Sequence, residues 1–287
     1  IGEDIVPGHL SRVFDMHEIM CSLIAFTGGN MATENSGTLA LLIDGDNASP
    51  KIIVGLMAEI ANYGTASVKR IYGDWTGPNL KGWKECLLEH SIQPVQQFAY
   101  TTGKNATDGA MIIDAMDLLY TGRFSGFCIV SSDSDFARLA ARIREQAVTV
   151  YGFGERKTPR PFITACDKFV YFDVLNAQAD EIDEVIATAP QKPPQAKVPV
   201  AKTAPKKAAL NKAARDMLIK AVKATADEDG RANLAQVGGH LAKQAPDFDA
   251  RNYGFPRLSD LVKASGLVTV ERAADNHKII MVRLKDG

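Results

Sequence analysis

The sequence predicts an α/β fold, a mostly parallel sheet flanked by helices, followed by a small C-terminal winged helix-turn-helix module. Three observations carry that prediction. Apolar runs such as Leu39–Ile43 and Phe127–Val130 read as buried strands and alternate with stretches of helical periodicity. Strands separated by helices need right-handed crossovers, and these lead to parallel pairing with both sheet faces covered. Near Ala187 the composition turns to Pro, Lys, Ala, Gln and Val, and beyond it a second patterned segment begins.

The elements follow in order. Leu39–Ile43 is the first strand. Ser49 then offers an N-cap with Pro50 at the first helical position, Ile52, Leu56, Met57 and Ile60 mark an apolar helix face, and Gly64 closes the helix. Val68–Tyr72 is the second strand, Trp83–Glu89 a helix and Ile92–Phe98 the third strand. Asp108–Tyr120 is helical, with Met111, Ile112, Ala115, Leu118 and Leu119 spaced for burial and Gly122 as terminator. Phe127–Val130, the helix Phe136–Glu145, Val148–Tyr151 and an edge strand Phe169–Phe172 complete the sheet. In the second module three helices, Leu210–Ala224, Leu234–Gln244 and Arg257–Ala264, precede the strands Leu267–Glu271 and Lys278–Leu284, which flank a turn at Ala274–Asn276. The expected organisation is an N-terminal extension over 1–36, an α/β domain over 37–186, a linker over 187–209 and the winged module over 210–287.

The bulk composition bounds the rest. A chain of 287 residues has room for both modules without staples. Cys21, Cys86, Cys128 and Cys166 are widely spaced, and Cys128 sits within an apolar run as a buried thiol would; a reducing cytoplasm fits such usage. The formal charge of -1 conceals a local asymmetry, because Thr188–Arg215 holds basic residues and no acid. No apolar run reaches the roughly 18 to 20 residues that span a bilayer, so no membrane association is expected. The stretch before Met31 reads two ways: Met31 is the natural start, or Ile5–Phe26 forms a helical extension.

Function is concentrated in three acid clusters, LLIDGDN at Leu41–Asn47, TDG at Thr107–Gly109 and IVSSDSDF at Ile129–Phe136. Two follow buried strands and one opens a helix, so all three can meet at the carboxyl edge of the sheet, where open α/β folds place their ligands. Gathering Asp44, Asp108, Asp133 and Asp135 there raises strong like-charge repulsion unless a divalent cation or shared protons offset it. A hard-metal site is the first functional expectation. The competing reading is structural, since an Asp just after a strand is often only a helix N-cap.

These motifs resemble an NYN domain of the LabA-like type, within the PIN-like nuclease superfamily, followed by an OST-HTH (LOTUS) domain. LLIDGDN places Asp44 and Asn47 on family positions, KNATDGAMIIDAM places Lys104 and Asp108, and IVSSDSDF places Ser132, Asp133 and Asp135. VYGFGERKTP and ACDKFVYFD are similar to the closing segments of that domain. DEDGRANLAQVGGHL and PDFDARNYGFPRLSDLV resemble the OST-HTH domain. Asp46 falls on a variable position and receives only a supporting role. The resemblance implies a PIN-like fold, metal-dependent cleavage of RNA by the first domain and RNA binding by the second.

On that basis Mg²⁺ or Mn²⁺ is the expected cofactor. Asp44 and Asp133 are assigned as central ligands, Asp108 and Asp135 as further ligands or as the group orienting the attacking water, and Asn47 as the amide that fixes a carboxylate or a phosphate oxygen. Ser132 is expected to cap the helix that begins near Phe136. RNA contacts are expected from Lys104, Ser132, Arg251, Arg257 and Lys263, with a solvated face as the alternative for the last three. Asp114 and Asp117 are expected to be exposed or peripheral. Gly152 and Gly154 read as a turn rather than a phosphate loop, and Trp75 and Trp83 as a packed loop or a nucleic-acid contact. His9, His17, His90, His240 and His277 lack metal-ligand spacing. The alternatives to a ribonuclease are a non-catalytic RNA-binding regulator that retains the fold, and a HAD-type phosphatase suggested by IDGDN, in which Asn47–Ala48 departs from the required pattern. Homo-oligomerisation is left open.

Overall fold

The computed structural model describes residues 37–78, 80–98, 106–176, 210–272 and 279–285. The stretch before Met31, the linker expected at 187–209, the turn at 274–276 and Lys104 lie outside the described residues.

Six strands form one sheet: β1 (Gly37–Asp44), β2 (Gly64–Gly73), β3 (Gln93–Gln96), β4 (Gly126–Val130), β5 (Thr149–Gly154) and β6 (Lys168–Tyr171). Their order is β3-β2-β1-β4-β5-β6, and each of the five pairings is parallel. The central strands β1 and β4 are buried along nearly their whole length, which is why they read as unbroken apolar runs rather than alternating ones. Helices α1 (Ile53–Ala61), α2 (Lys84–Glu89), α3 (Ala106–Tyr120), α4 (Phe136–Glu145) and α5 (Arg160–Ala165) flank this sheet. Ser49 accepts a hydrogen bond from Lys51 N (3.4 Å) at the short 3₁₀ turn Pro50–Ile52 that precedes α1. Ile52, Ile53, Leu56 and Ile60 then enter the core, with Met57 packed against it.

Several expectations are corrected. Gly64 does not close α1, which ends at Ala61; it begins β2. β3 stops at Gln96 instead of Phe98, and β5 continues past Tyr151 to Gly154. Gly152 and Gly154 are therefore strand residues and not a turn. Their lack of a side chain serves close packing, because a Cβ on Gly152 would sit 2.6 Å from Cys166 Sγ and one on Gly154 would sit 2.7 Å from the Ser131 carbonyl oxygen. The helix α5 was not expected, since Pro161 within its six residues and Pro159 just before them give the segment the composition of a loop.

The second module holds α6 (Lys212–Thr225), α7 (Leu234–Gln244) and α8 (Leu258–Ser265), with an antiparallel sheet in the order β7-β9-β8. β8 (Val268–Arg272) and β9 (Ile280–Leu284) are the expected hairpin strands. β7 (Arg231–Asn233) adds a third strand too short to show a periodicity. Leu218, Val222, Val237, Leu241, Leu261 and Val282 form a core separate from that of the first sheet, with Tyr253, Phe255 and Leu258 packed against it. Cys86, Cys128 and Cys166 are free thiols, the last two buried. Among the described residues no helix is long and apolar enough to cross a membrane.

Candidate metal centre

The strand order fixes where a site can form. From β1 the chain moves outward to β2, whereas from β4 it moves outward to β5, so the connections diverge at the β1/β4 boundary. Divergence of that kind opens a crevice at the carboxyl ends of the two strands. Asp44 is the last residue of β1, Ser131–Asp135 follow β4 directly, and Asp108 lies in the first turn of α3. All three clusters converge on that crevice.

Asp44 is fully buried. Its Oδ2 accepts hydrogen bonds from Asn47 Nδ2 (2.7 Å) and Ser131 Oγ (2.8 Å), and its Oδ1 accepts from Asp46 N (3.1 Å). A carboxylate has about four acceptor positions, so three of them are already committed. Ser131 Oγ also accepts from Asp133 N (3.1 Å), and Asp133 Oδ1 from Asp135 N (3.0 Å). One buried hydroxyl thus ties the β1 acid to the turn that presents the β4 acids. On the other side Thr107 Oγ1 donates to Asp46 Oδ2 (3.1 Å), joining the β1 loop to the start of α3.

The carboxylates of Asp108, Asp133 and Asp135 each present an oxygen within 4.8 Å of the other two. Adjacent ligands of an octahedral Mg²⁺ stand about 3 Å apart and opposite ones about 4.2 Å, so three acids within 4.8 Å of one another suit a small hard cation once they close around it or with water completing its shell. Their mutual repulsion registers at Asp108: burial, then the charges of Asp44, Asp133, Asp135 and Asp46, push its carboxyl up to about 6 from an ordinary 3.8. Burial likewise raises the Asp44 carboxyl, against the downward pull of its bonds from Ser131 and Asn47. The donor set is all oxygen and carries excess negative charge, as a site for Mg²⁺ or Mn²⁺ requires. A cleft of about 490 Å³ lined by Val95, Gln97, Gly109, Ala110, Ile113 and Asp114 opens next to the first turn of α3.

The structure separates the expected residues into groups. Asp108, Asp133 and Asp135 come together, while Asp44 stands behind them with its oxygens bonded and Asn47 fixes it. Ser132 does not cap α4; its Oγ accepts from Glu155 N (2.8 Å) and so ties the β4 rim to the loop after β5. Asp135 occupies the N-cap position of α4 without a side-chain capping bond, so capping does not account for it. Arg251 is committed to Glu59 and Asp249 inside the molecule. Arg257 and Lys263 are exposed at the two ends of α8, with no ion pair among the described residues. Asp114 accepts from Arg70 Nη1 and Tyr72 Oη, both at 2.8 Å, a structural role. Trp83 is buried with its Nε1 on the Ala48 carbonyl, and Trp75 Nε1 donates to the Val95 carbonyl, so both pack the loop. Sequence reasoning gave no role to Ser131 or Thr107. Their only signal is position, a hydroxyl beside an acid at a strand end or helix start.

The family profile of the NYN domain matches residues 38–176, and that of the OST-HTH/LOTUS domain matches residues 205–280, in that order. No curated protein matches. Among solved structures, a protein of unknown function from Vibrio parahaemolyticus is 18% identical, covering 49% of this chain and 96% of its own, with a TM-score of 0.41. An uncharacterised protein from Nitrosomonas europaea is 32% identical over 34% of this chain and 94% of its own, with a TM-score of 0.26.

Proposed function

Since this chain belongs to the NYN-domain proteins and carries an OST-HTH/LOTUS domain after its NYN domain, we propose that it is a divalent-metal-dependent ribonuclease, an endoribonuclease, whose C-terminal module holds the RNA. The domain pair supports a nuclease with RNA binding. The observation that carries the metal dependence is the trio Asp108, Asp133 and Asp135 on the rim of the β1/β4 crevice.

In this reading Asp108, Asp133 and Asp135 hold Mg²⁺ or Mn²⁺, which when bound supplies charge neutralisation at the scissile phosphate and a water of lowered pKa. Asp44 keeps a fixed negative charge behind the trio, and Asn47 and Ser131 hold its carboxylate in one orientation. Asp133 is oriented by its own backbone bond to Ser131 Oγ, so the ligands are set before RNA arrives. Arg257 and Lys263 supply phosphate contacts from α8. Asp44 is poorly suited to the covalent chemistry of an aspartyl phosphatase, because its bonded, fully buried carboxylate is not presented to a substrate.

The test is incubation of the purified protein with structured and unstructured RNA pools under Mg²⁺ and Mn²⁺, alongside Asp108→Asn and Asp44→Asn. Cleavage that needs the ion and disappears in both variants is the expected result. Cleavage that persists in the variants assigns the activity to a contaminant, and RNA that is retained without being shortened under any ion favours the non-catalytic regulator.

A further inference from the structure

The second module does not merely follow the first; one segment of it, Pro246–Asn252, meets the first along β6. Phe169 N in β6 donates to the Pro246 carbonyl (2.8 Å), a main-chain bond between the modules. Asp247 accepts from Arg160 Nη1 (3.0 Å) and from Tyr171 Oη (2.9 Å). Arg156, stacked over the Tyr171 ring at 4.1 Å, donates to Asn252 Oδ1 (2.9 Å). At the centre Arg251 grips Glu59 of α1 with two bonds, Nη1 to Oε2 (2.7 Å) and Nη2 to Oε1 (2.9 Å).

That central contact is a balanced group of four charges. Glu59 and Asp249 face Arg251 and Lys168, with Arg251 to Asp249 at 2.6 Å and Lys168 to Glu59 at 3.5 Å. Glu59 also accepts from Tyr63 Oη, and its side chain is only 3% exposed. A carboxylate this deep in the molecule needs its partners, since an uncompensated buried charge is strongly destabilising. Burial alone would raise Glu59, yet the bonds from Arg251 and Tyr63 and the nearby positive charges bring it down to about 2. Within the NYN domain Glu59 has Lys168 at 3.5 Å and the Tyr63 hydroxyl, and the cross-module guanidinium adds two closer ionic bonds, at 2.7 and 2.9 Å.

The same segment reaches toward the candidate centre. Arg156, held by Asn252, follows Glu155, whose backbone N–H is held by Ser132 Oγ beside Asp133. We propose that Pro246–Asn252 is a docking plug that locks the OST-HTH/LOTUS module onto β6 and α1 of its own NYN domain, and that this docking steadies the Glu155–Thr158 loop against the acid-bearing rim. The two modules then move as one body, and RNA gripped by α8 is presented to the acids at a fixed offset. Only that last consequence rests on the ribonuclease reading.

Amide hydrogen exchange by mass spectrometry on the full chain tests the docking without reference to cleavage. Glu59→Gln, an isosteric change on the NYN side, and Arg251→Ala, on the LOTUS side, are compared with the unmodified protein. Peptides spanning Lys168–Tyr171, Pro246–Asn252 and Glu155–Thr158 are expected to lose protection together, by about tenfold or more, in both variants, while β1 and α7 keep theirs. If Arg251→Ala also opens α7, Glu59→Gln decides alone. The proposal is overturned if these peptides already exchange freely in the unmodified protein, if the variants leave them unchanged, or if the loop peptide does not respond. Protection that falls on dilution would give the plug to a second copy and overturn it equally.

Discussion

At the scale of single residues, Asp108 reports the charge state of the site. Its carboxyl sits at about 6 in the folded chain against an ordinary 3.8, so the folded form binds a proton that the unfolded form has already released. The stabilising contribution is complete below about pH 3.8 and is lost as the pH climbs to about 6. In chelator the unmodified protein should therefore lose melting temperature relative to Asp108→Asn across that window, and Mg²⁺ should raise the melting temperature above pH 6 in the unmodified protein alone. A melting profile in chelator that is unchanged by the substitution would remove the repulsion from the account. Ser131 is the second residue to test. Ser131→Ala takes one donor from Asp44 and one acceptor from the Asp133 backbone, so we expect a loss of about 1–3 kcal/mol in urea unfolding. Divalent-ion affinity by calorimetry should weaken by about 10–100-fold, as it does when an oriented ligand loses its support. The acids themselves were legible because each stands at the end of an apolar run or the start of a helix. The hydroxyl that links Asp44 to Asp133 was not, because the Ser131–Asp44 bond spans 87 positions of sequence and no local pattern encodes it.

At the scale of elements, period and punctuation located almost every strand and helix. The misses share a cause. α5 holds one proline and follows another, β7 has three residues, and Gly152–Gly154 reads as a turn although neighbouring groups press on the positions where a Cβ would stand. In each case the long-range neighbours decide and the local composition misleads. α8 offers the element-scale test of RNA binding. Its exposed Arg257 and Lys263 should act as phosphate contacts, so replacing each by Ala should weaken RNA binding for all sequences alike and reduce the slope of log affinity against log salt by about 0.7–1 apiece. A slope that stays unchanged in filter binding would make α8 an ordinary solvated face.

At the scale of the whole molecule, the sequence pattern marks two modules and a composition change between them, and it leaves their contact invisible. Arg251 reads as a surface cation, and its engagement with Glu59, 192 positions away, follows only from the fold. A phosphate contact is accordingly not proposed for it. Two modules joined this way should respond together to heat: removal of the guanidinium by Arg251→Ala leaves the buried Glu59 with Lys168 alone at 3.5 Å, and a loss of about 3–5 kcal/mol is expected for breaking a buried pair. Calorimetry should then resolve two transitions where the unmodified chain gives one.

The main-chain bond from Phe169 to Pro246 has another implication. β6 is the last strand of its sheet, and an uncapped last strand is a template on which other chains can add. A fragment ending before Leu210 would bare that template and strip Glu59 of its guanidinium. Light scattering should find such a fragment sticking to itself as concentration rises, while the full-length chain stays dispersed.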